Sequence, residues 1–219
     1  GNVKGRAGSA DAVEPRAARR SLVTTSECSG GPVRRYGRPP GPWEGRSVSG
    51  LQAVLVAVAR KIERYRDGPR INEQDTKAAL IEPVFNALGW DLTDPDEVKR
   101  EHRHATQANA VDYAFLLNGD AAPAMLVEAK ALGSALDRHA HQLLGYASVA
   151  GVEWVVLTDG YEYRLYNAHA TGDVGEKLFR CFRVTPAVGE AAAVLSLLSR
   201  DALARRELET LWRRERTDR

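Results

Sequence analysis

The sequence predicts an α/β fold in which a mixed central sheet is flanked by helices. Segments with apolar residues at every third or fourth position, typical of helices, alternate with short apolar runs bounded by Gly, Asn or Asp, typical of strands. One predicted helix separates the third and fourth strands, so these two strands can lie parallel through a right-handed crossover. With 219 residues, 43% of them hydrophobic, the chain can form one domain with a substantial core.

The predicted elements follow one another with short connections. Residues 51–65 form a helix with one apolar stripe, and a second helix runs from Asn72, a good N-cap, to Leu88, before Gly89. Strands are predicted at residues 98–104, 110–117, 124–130, 152–158, 161–167 and 177–184, with turns at Asn118-Gly119 and Asp159-Gly160. Further helices are predicted at residues 134–149, with Ser134 as N-cap, at residues 187–198 and at residues 201–216.

Composition divides the chain into three parts. Residues 1–48 are rich in Gly, Pro, Ser, Ala and Arg without apolar periodicity, which predicts a disordered basic tail. Residues 49–200 form the folded domain, with its core at 72–184, and residues 201–219 form a charged C-terminal helix. Residues 1–50 carry a net charge of +5 and the rest a net charge of −3. The folded part therefore lacks the overall basic character typical of nucleic-acid binding, although an acidic metal site would contribute to this deficit.

The sequence contains no segment typical of export or membrane insertion. Its start lacks the apolar stretch of a signal peptide, and no run of 18 apolar residues is present. The two cysteines, Cys28 and Cys181, do not indicate a disulfide framework. These observations predict a cytoplasmic protein.

The third predicted strand carries a carboxylate and an ammonium group on one face. Side chains alternate along a strand, so Glu128 and Lys130 point the same way, roughly 6.6 Å apart. A carboxylate can bind Mg²⁺, while a lysine can orient water or stabilise charge on phosphoryl oxygens. The pair therefore suits phosphodiester hydrolysis. A structural salt bridge at the end of the strand is the alternative interpretation.

Asp112 interrupts the second apolar strand and precedes Glu128 by 16 residues, a spacing suited to a hairpin. Two carboxylates on adjacent strands repel each other unless a cation lies between them. Asp112 and Glu128 are therefore candidate metal ligands. Asp112 could alternatively pair with Lys130 or cap a turn.

Glu73 is the candidate acid on the second helix. It lies seven positions before Leu80, which places it about 20° from Leu80 around the helix and turns it toward the sheet, whereas Glu82 falls nearly opposite. If this helix supplies a metal ligand, Glu73 is the better placed of the two. A glutamate in a first helical turn also interacts favourably with the helix dipole, and this is the alternative.

Gln142 and Tyr146 share one face of the helix that follows the Glu128–Lys130 strand, because they are four positions apart. Side chains of these types can hydrogen-bond a phosphate or orient Lys130. An ordinary amphipathic helix would show the same spacing.

The order of these motifs along the chain resembles the motif order of a known protein family. The motifs are Asn72-Glu73-Gln74-Asp75-Thr76, Leu80-Ile81-Glu82-Pro83, Leu88-Gly89-Trp90-Asp91, Val111-Asp112-Tyr113, Val127-Glu128-Ala129-Lys130, Gln142 with Tyr146, and Leu157-Thr158-Asp159-Gly160. Over residues 72–184 the chain resembles the N-terminal nuclease domain of the type I restriction enzyme R subunit, a branch of the PD-(D/E)XK nucleases. Val111 stands where the proline of the family's name would be, as in many relatives.

The resemblance implies a restriction-endonuclease-like fold and Mg²⁺-dependent cleavage of DNA, with Mn²⁺ as an alternative metal and double-stranded DNA favoured over RNA. It assigns metal binding to Asp112 and Glu128 with help from Glu73, and the catalytic lysine role to Lys130. The family's Gln-x-x-x-Tyr motif corresponds to Gln142 and Tyr146, which join the catalytic set.

One feature of the R subunit is missing. The sequence contains no Gly-x-x-x-x-Gly-Lys-Ser/Thr loop, so we expect a nuclease domain without the DNA-translocating motor. A helicase or methyltransferase chain would then be its partner, and a homodimer would provide two sites. The competing hypothesis is a catalytically inactive module of the same fold that binds nucleic acid or protein.

Overall fold

The computed structural model describes residue 1 and residues 48–105, 109–117 and 122–217. The predicted basic tail, apart from its two end residues, and the predicted Asn118-Gly119 turn lie outside this part of the chain. Within it, one six-stranded mixed sheet with helices packed on both faces confirms the predicted α/β class.

The six strands lie side by side in chain order. They are β1 (Val98–His102), β2 (Val111–Phe115), β3 (Met125–Ala129), β4 (Trp154–Thr158), β5 (Glu162–Asn167) and β6 (Leu178–Arg183). Strands β3 and β4 are parallel, with Val127 opposite Val156, and the other neighbours are antiparallel. The crossover between β3 and β4 contains one helix, as predicted.

The helices form two layers. They are α1 (Val48–Arg66), α2 (Glu73–Thr76), α3 (Glu82–Ala87), α4 (Asp137–Ala150), α5 (Val174–Lys177), α6 (Val188–Leu195), α7 (Arg200–Ala204) and α8 (Glu207–Thr217), with a 3₁₀ turn at Ser196–Leu198. The larger core packs residues of α1, α3 and α6–α8 against one face of the sheet, and α4 covers the other face with a smaller core. No helix among the described residues is long and apolar enough to cross a membrane.

A π-helical segment, Lys77–Ile81, joins α2 to α3. The predicted N-cap is confirmed, because the Asn72 side chain accepts a hydrogen bond of 2.8 Å from the backbone N–H of Asp75. The wider π turn rotates the residues that follow relative to a regular α-helix. Lys77, Leu80 and Ile81 are all buried in this segment.

Two predicted helix boundaries are wrong. Helix α4 begins at Asp137, and its N-cap position, Leu136, makes no side-chain cap. Ser134 does not cap it, because the preceding loop is tied elsewhere: the N–H of Gly133 donates to Asp159 Oδ2 at 2.8 Å. The predicted helix at residues 201–216 is broken between α7 and α8. The backbone turns at Arg206 (φ +57°), which lets buried leucines on both sides of the break reach the main core.

One observation bears on the cysteines. Cys181, on β6, is disulfide-bonded, while Cys28 lies outside the described residues.

Candidate active site

Strands β2 and β3 separate at the position of the two predicted metal ligands. Their pairing runs from Phe115 opposite Met125 to Tyr113 opposite Val127. Beyond this point side chains bridge the strands: Asp112 Oδ2 accepts the N–H of Ala129 at 2.7 Å, and Glu128 Oε2 accepts the N–H of Asp112 at a longer 3.4 Å. These bonds hold both carboxylates at one end of the strand pair.

Lys130 lies beside them, as the alternation of the strand predicted. Its Nζ donates to Glu128 Oε1 at 2.6 Å. Burial, and after it the negative charge of Asp112, raises the pKa of Glu128. Burial opposes the charge of Lys130, but the hydrogen bond to Glu128 and the surrounding carboxylates outweigh it and raise the lysine pKa. Lys130 is therefore a charged hydrogen-bond donor at neutral pH, suited to stabilising negative charge.

Glu73 reaches the same group of side chains from the helix. One carboxylate oxygen lies 3.7 Å from Lys130 Nζ, and the other lies 3.4 Å from Lys77 Nζ. Glu82 instead pairs with Arg100 and accepts the hydroxyl of Tyr113 at 2.8 Å. Of the two acids on this helix, the structure brings Glu73 to the candidate site.

Lys77 is the residue that sequence reasoning missed. Its side chain is only 5% exposed, and its ammonium donates to Asp112 Oδ1. Glu73 and Glu101 lie 3.4 and 3.7 Å from the same ammonium. A signal was present in the sequence, because Lys77 lies three positions before Leu80 and four before Ile81. It is therefore a charged residue on an apolar helical stripe.

Gln142 and Tyr146 are placed differently from each other. Gln142 is exposed on α4. Tyr146 is buried, and its hydroxyl donates to the carbonyl of His102 at 3.0 Å and accepts the N–H of His104 at 2.6 Å. In this structure the tyrosine joins α4 to the end of β1, the strand that carries Glu101.

The site carries more negative than positive charge. Four carboxylates surround two ammonium groups, giving a formal net charge of −2; they belong to Glu73, Glu101, Asp112, Glu128, Lys77 and Lys130. Over the residues with described positions, no three His, Cys, Asp or Glu side chains form a group that could hold a metal ion. A cation at this site would therefore rely on fewer protein ligands.

The fold and this arrangement give an α/β domain with a mixed sheet, in which two carboxylates and a lysine lie where the second and third strands stop pairing. Residues 87–178 match the family model described as Type I restriction enzyme R protein N terminus, which confirms the predicted family resemblance. The matched range contains Asp112, Glu128, Lys130, Gln142 and Tyr146, whereas Glu73 and Lys77 precede it. No curated protein and no solved structure matches the chain.

Proposed function

We propose that this domain is a metal-dependent endonuclease of the PD-(D/E)XK type, which hydrolyses phosphodiester bonds in DNA. The observation that carries the proposal is the convergence of Asp112, Glu128 and Lys130 where β2 and β3 separate, within the range that matches the restriction-enzyme family. This trio combines acidic ligands for a hard cation with a charged donor for a phosphate.

The donor set fits Mg²⁺, with Mn²⁺ as an alternative. Mg²⁺ is commonly bound through one or two carboxylates, retaining waters and substrate phosphate oxygens, so it does not need three protein ligands. Asp112 and Glu128 would supply the two carboxylates, and Glu73, 39% exposed, would help from the solvent side. When bound, the cation would neutralise phosphate charge and promote ionisation of water.

Lys130, Tyr146 and Gln142 have the other roles, which concern the DNA phosphate, strand β1 and the nucleic acid backbone. Lys130, held as a cation, donates to the phosphate oxygens and orients the attacking water, which stabilises charge that develops in the transition state. Tyr146 positions the end of β1 next to the site through its two backbone hydrogen bonds. Gln142, on the exposed surface of α4, contacts the nucleic acid backbone.

Strand β1 supplies a surface for duplex DNA. It is an edge strand, and Lys99, Arg100 and Arg103 on it or just after it are exposed. An open groove of about 540 Å³ lies along these residues and includes Glu101, which is 3.7 Å from Lys77. The basic edge thus leads to the candidate site, although the folded part as a whole is acidic.

Charge reversal at this edge, Lys99→Glu with Arg103→Glu, is expected to weaken duplex binding. Two lost phosphate contacts should lower affinity by about tenfold or more near 50 mM salt and reduce the slope of log K against log salt by about 2. Fluorescence anisotropy with a labelled duplex measures both quantities. Arg213→Glu with Arg214→Glu on α8 is the matched control, because α8 packs through Trp212 on β6 at the opposite end of the sheet. Equal losses in both double variants would contradict the assignment of β1.

The proposed activity is tested with the full chain on supercoiled and linear DNA in Mg²⁺, in Mn²⁺ and in EDTA. We expect cleavage that requires the metal and that falls by about 100-fold or more in Glu128→Gln. Glu63→Gln, an exposed position on α1, should leave cleavage unchanged. Single-stranded DNA and RNA in the same assay define the substrate. Cleavage that persists in EDTA or in Glu128→Gln would reject this function for the site.

A catalytically inactive binding module is the second candidate. It is favoured by the internal ion pairs, since Lys77 already neutralises Asp112 and Lys130 already neutralises Glu128. In that case DNA or a protein partner binds, but Mn²⁺ gives no calorimetric heat and does not raise the melting temperature. A bound metal would instead stabilise the fold by mass action.

The proposed setting follows from the family. A cytoplasmic restriction system would supply a motor or methyltransferase chain as partner, and pairing of two copies would allow both strands to be cut. Co-purification of the chain with such a partner, compared with its mass in isolation by light scattering, tests this part of the proposal.

A further inference from the structure

The charge on Lys77 is buried in an unusual place. Its side chain is 5% exposed and lies in a segment whose other buried members are Leu80 and Ile81. Burying an ammonium costs free energy, and an apolar residue would serve packing at this position without that cost. The π-helical segment that begins at Lys77 adds a second observation, because such segments occur frequently at functional sites.

The two carboxylate oxygens of Asp112 have different hydrogen-bond donors, and the Lys77 ammonium is one of them. Oδ2 accepts the N–H of Ala129 at 2.7 Å, so this oxygen is engaged with the backbone of β3. Oδ1 faces Lys77 and accepts its ammonium. Because Oδ2 already accepts a backbone N–H, Oδ1 is the more open oxygen for a cation, and Lys77 occupies it.

We propose that Lys77 is a built-in counter-ion, which occupies the cation position on Asp112 and is displaced from Asp112 when a divalent metal binds. The proposal rests on the proposed metal-dependent function and adds a competitor for the metal within the chain. An ammonium and a divalent cation on the same carboxylate oxygen repel each other, so occupancy by one excludes the other.

The displaced ammonium has an acceptor within reach. Glu101 lies 3.7 Å from Lys77 Nζ with a side chain that is 65% exposed, on the open side of the site. Its backbone is in the left-handed region, with φ of +48°, which a glutamate seldom adopts. Moving from Asp112 toward Glu101 would keep Lys77 paired while it leaves the metal ligand.

The test is calorimetric titration of Mn²⁺ into the wild-type chain, Lys77→Met and Lys61→Met. Removing the competitor should tighten Mn²⁺ binding by about tenfold or more. Lys61→Met removes the same charge from an exposed lysine on α1 that donates to the carbonyl of Ala79, and its affinity should stay within about twofold of wild type. Mn²⁺ binding by Lys77→Met that is equal to or weaker than wild type would overturn the inference while leaving the proposed function standing.

A second measurement covers the case in which Lys77→Met does not fold. In crystals of the wild-type chain soaked with Mn²⁺, the Lys77 ammonium should no longer be within hydrogen-bond distance of Asp112. A metal bound to Asp112 with the Lys77 contact intact would also overturn the inference. If neither the wild type nor a folded Lys77→Met binds Mn²⁺, both the metal-dependent function and the inference fail; binding by the variant alone would support the displacement.

Discussion

Replacement of Lys130 by methionine is expected to lower metal-dependent DNA cleavage by about 10²–10³-fold, the usual loss when one electrostatic donor to a transition state is removed. Methionine keeps most of the side-chain volume but cannot donate to a phosphate. The pair that Lys130 forms with Glu128 is partly solvated, with side chains 17% and 20% exposed. Its loss should therefore cost about 1–3 kcal/mol of stability, between the values for an exposed and a fully buried pair.

This difference between activity and stability separates catalysis from a structural salt bridge. Single-turnover cleavage at saturating DNA measures the chemical step, and urea unfolding measures stability. Lys61→Met is again the matched control and should change neither. Two results would contradict a catalytic role: a decrease in cleavage rate of less than about tenfold, or a decrease that only matches the reduced fraction of folded protein. Lys130 would then serve only as the ion-pair partner of Glu128.

Asp112→Ala is expected to destabilise the metal-free protein by about 3–5 kcal/mol, because it leaves the Lys77 ammonium buried without its main partner. Asp112 and Lys77 side chains are 8% and 5% exposed, so solvent cannot replace the lost interaction easily. The N–H of Ala129 also loses its acceptor. Adding Lys77→Met to Asp112→Ala should recover half or more of the loss, since the unpaired charge disappears with the lysine.

Denaturant unfolding in EDTA of the wild type, both single variants and the double variant completes a double-mutant cycle. Asp96→Ala, in an exposed loop, is the control for loss of an aspartate and should cost less than about 0.5 kcal/mol. An Asp112→Ala cost below 1 kcal/mol would show that the buried pair contributes little. Failure of Lys77→Met to recover stability would show that the loss arises from the Ala129 N–H instead.

Much of the fold could be predicted because its information is local. The apolar run at 152–158 and the turn at Asp159-Gly160 specify β4 and its hairpin partner through short-range patterns. The helix between the third and fourth strands requires a crossover, and the structure contains the parallel pair that this predicts. Where packing rather than local pattern decides, as at the start of α4, the prediction was wrong.

The candidate trio of Asp112, Glu128 and Lys130 could be proposed from the sequence for a similar reason. Strand alternation places Glu128 and Lys130 on one face, and an antiparallel neighbour brings Asp112 next to them. The position of Glu73 near this trio could be predicted from its angle around the helix, which turns it toward the sheet. Periodicity predicts which residues share a face wherever regular strand or helix geometry sets their neighbours.

The sequence by itself determined the α/β class, the order of the strands along the chain and the face shared by Glu128 and Lys130, because these depend on periodicity over a few residues. Only the tertiary structure decided that a π-helical turn buries Lys77 against Asp112 and that Tyr146 bonds the backbone of β1. Each of these contacts joins segments distant in sequence. Such contacts depend on how whole elements pack. A local pattern, such as the apolar helical face that carries Lys77, does not specify the partner across that packing.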